Sequence, residues 1–202
     1  MRRILVTTFV SLDGVMQAPG GPGEDESGGF RYGGWSVNYW DQLMGDAMGG
    51  VMAKPFDLLL GRRTYDIFAA HWPTSTDEGA RPLNDATKYV ASRSARTLAW
   101  GPAVLVRDPA REVADLKRGD GPEIQVHGSG DLIQTLLREG LVDELKVWTF
   151  PVLIGQGKRL FAEGTVPAAL RLADSAVSTT GVVVATYEPA GELKSGTFGQ
   201  GL

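Results

Sequence analysis

Short apolar runs alternate along the chain with sets of apolar residues at helical spacing. The runs are rich in β-branched and aromatic side chains, which is typical of buried strands. They predict strands at residues 4–11, 56–60, 88–92, 103–107, 124–126, 144–150, 170–177 and 182–188. Helices are predicted between the earlier strands. Because the last two strands flank a turn at residues 179–181, the fold class is α/β with one mixed sheet that ends in an antiparallel hairpin.

The longest clear unit is a strand, a helix and a second strand within residues 123–161. Gly128 and Gly130 separate the first strand from the helix, and Gly140 is a natural stop for that helix. The order and length predict a crossover that joins two parallel strands. Glycines at a helix N-terminus expose backbone N–H groups, which favours a phosphate. A tight turn that needs small residues explains the same glycines equally well.

Two further strand ends carry phosphate-binding chemistry. The second strand leads to Gly61, Arg62, Arg63 and Thr64, and the third leads to Ser92-Arg93-Ser94. Guanidinium groups match phosphate oxygens, while hydroxyl and backbone N–H groups add further bonds. Ligands of open α/β sheets gather at the carboxyl ends of strands. Singly these arginines are ordinary surface residues, but together with the glycines they indicate a ligand with several phosphates.

A long glycine-rich segment, residues 14–34, follows the first strand. Loops of this length in a compact domain are usually lids or disordered insertions. Large apolar side chains at its far end favour a loop that folds over a ligand. Ser36 is expected to cap the next helix, and Asp41 is expected on the flank of that helix near its start.

Composition narrows the function classes. At 202 residues, the chain is expected to form one domain, residues 1–190, and a flexible tail, residues 191–202. The net charge of −4 disfavours nucleic acid as a partner, and no apolar run is long enough to span a membrane. The lack of cysteine fits a cytoplasmic protein. His71 and His127 form no metal-ligand pattern, so no metal is expected, and His127 is interpreted as a structural residue.

Several stretches, in order, resemble the dihydrofolate reductase-like superfamily. The resemblance is strongest to the C-terminal reductase domain of riboflavin-biosynthesis proteins and its stand-alone relatives. The matching stretches are VSLDGVM, LLLGRRTYDIF, YVASRS, VHGSGDLIQTLLREGLVDEL and PVLIGQGKRLF. The resemblance implies a three-layer fold with a mostly parallel mixed sheet, a C-terminal antiparallel hairpin and helices on both faces.

The resemblance also implies NADPH as the cofactor. Gly61, Arg62, Arg63 and Thr64 would then hold its diphosphate and ribose phosphate. Ser92 and Arg93 would contact the adenosine 2′-phosphate, so NADPH is expected to be preferred over NADH. The diphosphate would lie at the start of the helix, against Gly128, Ser129, Gly130, Asp131 and Leu132.

The substrate side matches this family less closely. Asp13 and Asp41 are the candidate catalytic residues. Asp13 is at least as well explained as a turn-forming residue before Gly14, and Asp41 as a solvated residue near a helix N-terminus. The proton for the reaction would come from Asp13, Asp41 or water.

The predicted function is hydride transfer from NADPH to a small heterocyclic substrate, of the 5-amino-6-(5-phosphoribosylamino)uracil reductase or dihydrofolate reductase type. Two alternatives stay open. One is an NADPH-binding protein of the same fold without reductase activity, and the other is a structural or interaction protein that binds no dinucleotide. The resemblance further implies a homodimer.

Overall fold

A computed structural model describes residues 1–94, 97–161 and 163–199. It has an eight-stranded sheet in the order β4-β3-β2-β5-β1-β6-β8-β7. The strands are β1 (Ile4–Ser11), β2 (Phe56–Gly61), β3 (Lys88–Ala91), β4 (Ala103–Val106), β5 (Glu123–His127), β6 (Glu144–Phe150), β7 (Leu170–Val177) and β8 (Val183–Pro189). The helices are α1 (Gln42–Met52), α2 (Arg62–His71), α3 (Ala80–Asp85), α4 (Pro109–Arg118) and α5 (Gly130–Arg138).

The sheet is parallel from β4 across to β6. The remaining two strands form an antiparallel hairpin, in which β8 pairs with β6 and β7 pairs with β8. This confirms the mixed, mostly parallel sheet and its C-terminal hairpin. Because β1 lies between β5 and β6, the connection through α5 crosses over β1 and brings β6 parallel to it.

Helices cover both faces of the sheet, and β5 shows how. Ile124 and Val126 point to one face, where they join a buried cluster with Ile133 of α5. Gln125 and His127 point to the other face, where Gln125 bonds to the carbonyl of Val51 in α1 and the ring of His127 contacts Phe68 of α2. Successive side chains of a strand alternate between faces, so one strand contributes to both layers.

The start of α1 differs from the sequence prediction. Ser36 precedes only a short 3-10 turn, Val37–Tyr39, and Trp40 is then extended. The helix begins at Gln42 and is capped by Asp41, whose carboxylate accepts a hydrogen bond of 3.1 Å from the N–H of Met44. The prediction of Ser36 as the cap is therefore wrong, because the extended backbone at Trp40 separates the turn from the helix.

Residues 190–199 contain no helix or strand, and residues 200–202 of the expected tail lie outside the described residues. The division at residue 190 stays a prediction. In the part of the chain that the structure describes, none of the helices has the length and apolar character needed to cross a membrane.

Candidate functional site

A cavity of about 2040 Å³ opens where the parallel strands end. Its walls come from the carboxyl ends of β2, β3 and β5, from β1, from the loop after β1, and from α1 and α2. Small-molecule pockets usually measure about 300–1,000 Å³, so this one has room for a dinucleotide beside a second molecule. The walls divide into a polar half at the strand ends and an apolar cleft between α1 and α2.

All of the residues predicted to bind the cofactor line this one cavity. They are Gly61, Arg62, Arg63, Thr64, Ser92, Arg93, Gly128, Ser129, Gly130, Asp131 and Leu132. Their stretches are far apart in sequence, but β2, β3 and β5 run parallel and end at the same edge of the sheet. The sequence prediction that these stretches lie together is thus matched by the fold, while their role in binding stays a prediction.

Ser129 joins two of these strand ends. Its hydroxyl oxygen accepts a hydrogen bond of 2.8 Å from the N–H of Gly61, and the hydroxyl donates to Thr64 Oγ1 at 2.6 Å. A Cβ atom at Gly61 would lie 3.0 Å from the Ser129 side chain, a tight contact that would displace Ser129 from its present position. Ser129 itself has a φ of 73°, in the left-handed region that disfavours side chains. Two hydrogen bonds therefore hold a strained residue at the entry to α5.

The N-terminus of α5 faces the cavity. Gly130, Asp131 and Leu132 begin this helix, and the first N–H groups of any helix have no partner within it. A Cβ atom at Gly130 would lie 3.2 Å from Met16 Sδ, so a larger residue here would push the Met16 side chain aside. The side chain of Leu132 is buried, which leaves its backbone N–H as the group that can serve a ligand.

The arginines of the polar half differ in their surroundings. Arg63 pairs with Asp25 of the first loop at 2.7 Å, and Lys158 pairs with the other oxygen of Asp25 at 2.6 Å. Arg62 pairs with Asp66 one turn along α2. Arg93, which follows β3 beside Ser92, is exposed.

Asp25 is the residue through which the first loop is fastened to the strand ends. Burial raises the pKa of its carboxyl, but hydrogen bonds from Lys158 and Ser27 outweigh this and lower the pKa to about 2. The loop is held from inside as well, because the buried amide of Gln17 donates to the carbonyls of Asp25 and Ser27 and accepts from the N–H of Lys158. Residues 16–25 form one wall of the cavity, while the predicted closure over a ligand stays a prediction.

Asp13 and Asp41 are not among the described residues that line the cavity. Asp13 accepts hydrogen bonds from the Ser11 hydroxyl and from the N–H groups of Ile154 and Gly155. The bond from Ser11 contributes most to lowering the pKa of Asp13 to about 2. An ionised carboxylate with that pKa has no proton to donate near neutral pH. The catalytic role predicted for Asp13 therefore finds no support in the geometry.

The carboxylate of Asp41, like that of Asp13, accepts several hydrogen bonds outside the cavity. Besides capping α1, its carboxylate accepts from the N–H and the hydroxyl of Thr179 at 2.8 and 2.7 Å. The Thr179 hydroxyl is the main cause of its lowered pKa. Asp41 thus joins α1 to the β7–β8 turn, and its catalytic role stays a prediction without a supporting contact.

The apolar cleft contains the residues that sequence reasoning missed. Its sides are Gly45, Met48, Gly49 and Met52 from α1, Trp40 from the segment before that helix, and Ile67 and Phe68 from α2. Its floor includes Thr7 and Phe9 of β1 and His127 of β5. Burial lowers the pKa of His127 to about 4, so the imidazole is neutral near pH 7. The apolar residues of α1 recur at helical spacing in the sequence, but such a pattern indicates packing on a sheet and does not by itself indicate a ligand cleft.

Residues 2–184 match the model of the RibD C-terminal domain family. The chain belongs to this family. Two relatives from Bacillus subtilis (strain 168), the uncharacterized proteins YyaP and YwjB, are each 27% identical to it. YyaP is aligned over 92% of this chain and 94% of its own length, and YwjB over 85% and 89%.

Solved structures support the dihydrofolate reductase-like fold of this RibD C-terminal domain. A protein from Shewanella sp. PV-4, provisionally named for riboflavin biosynthesis, matches with a TM-score of 0.68 at 21% identity, over 93% of this chain and 98% of its own. Dihydrofolate reductase from Enterococcus faecalis, complexed with NADP(H), matches with a TM-score of 0.59 at 14% identity, over 93% and 96%. At these identities the matches establish the fold alone.

Substitutions at Ser129 separate backbone strain from hydrogen bonding. Ser129→Ala loses both hydrogen bonds and keeps a side chain at positive φ, whereas Ser129→Gly loses the bonds but relieves the strain. We expect Ser129→Ala to be less stable than Ser129→Gly by about 1 kcal/mol in urea unfolding. Thr64→Val, which removes only one of the two bonds, is the control and should cost less than Ser129→Ala. A glycine variant that is the least stable of the three would contradict this account.

The Asp25 contacts predict an acid-sensitive contribution to stability. The pKa of Asp25 is about 2 in the folded protein and 3.8 without its partners. Its stabilisation is therefore present above pH 3.8 and is lost as the pH falls towards 2. Asp25→Asn should lower the free energy of unfolding by about 1 kcal/mol at pH 7, because its partners are half-exposed.

The measurement is urea unfolding of wild type and Asp25→Asn between pH 7 and pH 2.5, in which the difference should shrink. Glu26→Gln makes the same charge change at the exposed neighbouring residue and should stay close to wild type at pH 7. A difference between wild type and Asp25→Asn that is constant down to pH 2.5 would show that the carboxylate is not the source of the stabilisation.

Proposed function

We propose that the protein is an NADPH-dependent reductase that transfers a hydride to a C=N or C=O carbon of a small heterocyclic compound. The observation that carries this proposal is the division of one cavity into a phosphate-binding half and an apolar cleft. The first half suits a dinucleotide, and the second suits the compound that it reduces. Membership of a family of NADPH-dependent reductases agrees with a dinucleotide in the first half and a reducible compound in the second.

The polar half fits NADPH in its chemistry. The N-terminus of α5 offers backbone N–H groups and a positive dipole end to the diphosphate, between Gly128 and Leu132. Arg62, Arg63 and Thr64 would hold it from the side of α2. Arg93, with the Ser92 hydroxyl beside it, would bind the 2′-phosphate that distinguishes NADPH from NADH.

Bound in this way, NADPH would supply the hydride. The protein would position the cofactor and the substrate and would shield them from water. The rings of Trp40, Phe9 and Phe68 would exclude water from the cleft. The orientation of the two molecules would follow from the shared floor of β1 and β5, which supports both halves. Since Asp13 and Asp41 lie outside the cavity walls, we assign the proton of the reaction to water.

A second candidate is an NADPH-binding protein without reductase activity. It is favoured by one feature, the absence of carboxylate side chains among the described residues that α1 and β5 contribute to the cleft. One measurement separates the two candidates. Oxidation of NADPH is followed as the decrease in absorbance at about 340 nm, with a panel of pterins, pyrimidines and cyclic carbonyl compounds as substrates.

Arg93→Ala tests the proposed cofactor preference. Loss of a charge-assisted bond to the 2′-phosphate should weaken NADPH binding by about 10- to 100-fold and leave NADH binding within about twofold. The measurement is calorimetric titration of both cofactors into wild type and variant.

Arg81→Ala is the matched control, because Arg81 lies on α3, is exposed and does not line the cavity. It should leave both affinities unchanged. Equal losses of affinity for NADPH and NADH in Arg93→Ala would contradict the role of Arg93 in binding the 2′-phosphate. If wild type binds neither cofactor, the proposed function is overturned.

A further inference from the structure

His127 ends β5 on the floor of the apolar cleft, beside the glycines of the polar half. Its ring contacts Phe68 of α2, and its Nε2 lies 3.0 Å from Gln125 Oε1. The proposed mechanism makes no use of this side chain. It is nevertheless the ionisable group of β5 that lies where a substrate would be bound.

The surroundings of Gln125 determine where the imidazole proton lies. The amide nitrogen of Gln125 donates to the carbonyl of Val51 at 2.7 Å and to Glu123 Oε1 at 3.1 Å. Its amide oxygen is therefore the atom that faces the histidine, and an oxygen can only accept. Hence His127 Nε2 carries the proton. Burial keeps the ring neutral by lowering its pKa to about 4, so Nδ1 is an acceptor.

The second ring nitrogen of His127, Nδ1, is accessible. Among the described residues it has no hydrogen-bond partner, and no buried side-chain nitrogen or oxygen of those residues lacks one. Nδ1 is therefore accessible, and the cavity is the open space that His127 lines. The result is an unpaired acceptor atom of β5 on the floor of the cleft.

The cleft at His127 is lined by aromatic side chains and by glycines of α1. Trp40 forms one side and is stacked on Trp148 with an angle of 8° between the rings. Gly45 and Gly49 lie one turn apart on α1, and a Cβ atom at Gly49 would meet no atom within 4 Å. The missing side chains leave room for a planar ring between α1 and Phe68. The parts of α1 in the cavity wall carry no charge.

We propose that His127 determines substrate specificity, with its Nδ1 accepting a hydrogen bond from a ring N–H or O–H of a planar, uncharged heterocycle in this cleft. The inference rests on the proposed reductase function and narrows its substrate class. A cationic ring would find no carboxylate on α1 or β5 in the cavity wall to pair with. A ring without a donor would leave Nδ1 desolvated and unpaired, which costs binding free energy.

The test uses quinazolin-4(3H)-one and its N3-methyl derivative, which differ in the ring N–H. Each is titrated by calorimetry into protein saturated with NADP⁺ and into protein alone. Wild type should bind the N–H compound about tenfold more tightly than the methylated one. In His127→Phe, which keeps a flat ring without the acceptor, the ratio should fall to about one. Equal binding of the two compounds by wild type, or binding of neither, overturns the proposal.

Two glycine variants test the cleft independently of His127. Gly49→Ala places a methyl group inside the cavity, whereas Gly50→Ala adds one to the next exposed position of α1, outside the cavity wall. Both should raise the melting temperature, because alanine favours a helix over glycine. Only Gly49→Ala should weaken the binding of quinazolin-4(3H)-one. Weaker binding in both variants, or in neither, would contradict the placement of the compound against Gly49.

NADP⁺ titrations separate this inference from the proposed function. The affinity for NADP⁺ should be the same in wild type, His127→Phe and Gly49→Ala, since these changes lie outside the polar half. If NADP⁺ does not bind while the N–H preference persists and depends on His127, the reductase proposal fails and the recognition role of His127 survives. If NADP⁺ binds and the preference is absent, the reverse holds.

Discussion

The hydroxyl of Ser129 connects the carboxyl ends of β2 and β5, and the polar half of the cavity is built around that connection. It binds the N–H of Gly61 at the end of one strand and Thr64 in the first turn of α2. The N-termini of α2 and α5 are thereby held side by side, and both present backbone groups to the same space. The left-handed backbone at Ser129 is the cost of this arrangement, and it is offset by two short hydrogen bonds. A cofactor that bridges the two helices would find both termini already in place.

The loop after β1 forms one wall of the cavity, and ion pairs of Asp25 hold it there. Asp25 carries the charge that draws Arg63 and Lys158 together, and the amide of Gln17 supports the backbone behind it. A phosphate group at Arg63 would share that guanidinium with Asp25. The same ion pair therefore links the order of the loop to the chemistry of the polar half. Asp13, at the start of the loop, contributes by anchoring it to residues 154–155 instead of contacting the cavity.

Polar chemistry is distributed unevenly between the two halves of the cavity. Guanidinium and helix N–H groups concentrate at the strand ends, whereas the cleft offers rings, methionines and the neutral imidazole of His127. A ligand with several negative charges is favoured in the first half and disfavoured in the second, because charges bury poorly without partners. This difference would orient a dinucleotide and would leave the cleft for an uncharged ring.

The sequence by itself determined the mixed sheet, its C-terminal hairpin and the three strand ends that meet at the polar half. Strand and turn patterns are local, and parallel strands bring their carboxyl ends to one edge, so Gly61, Ser92 and Gly128 were predictable neighbours. Only the tertiary structure decided what the isolated carboxylates and the histidine do. Asp41 accepts hydrogen bonds from Thr179, which is 138 residues away, and the tautomer of His127 is set by Gln125, whose amide is held by Val51 of α1. Such roles depend on which distant groups pack against a side chain, and no local pattern contains that information.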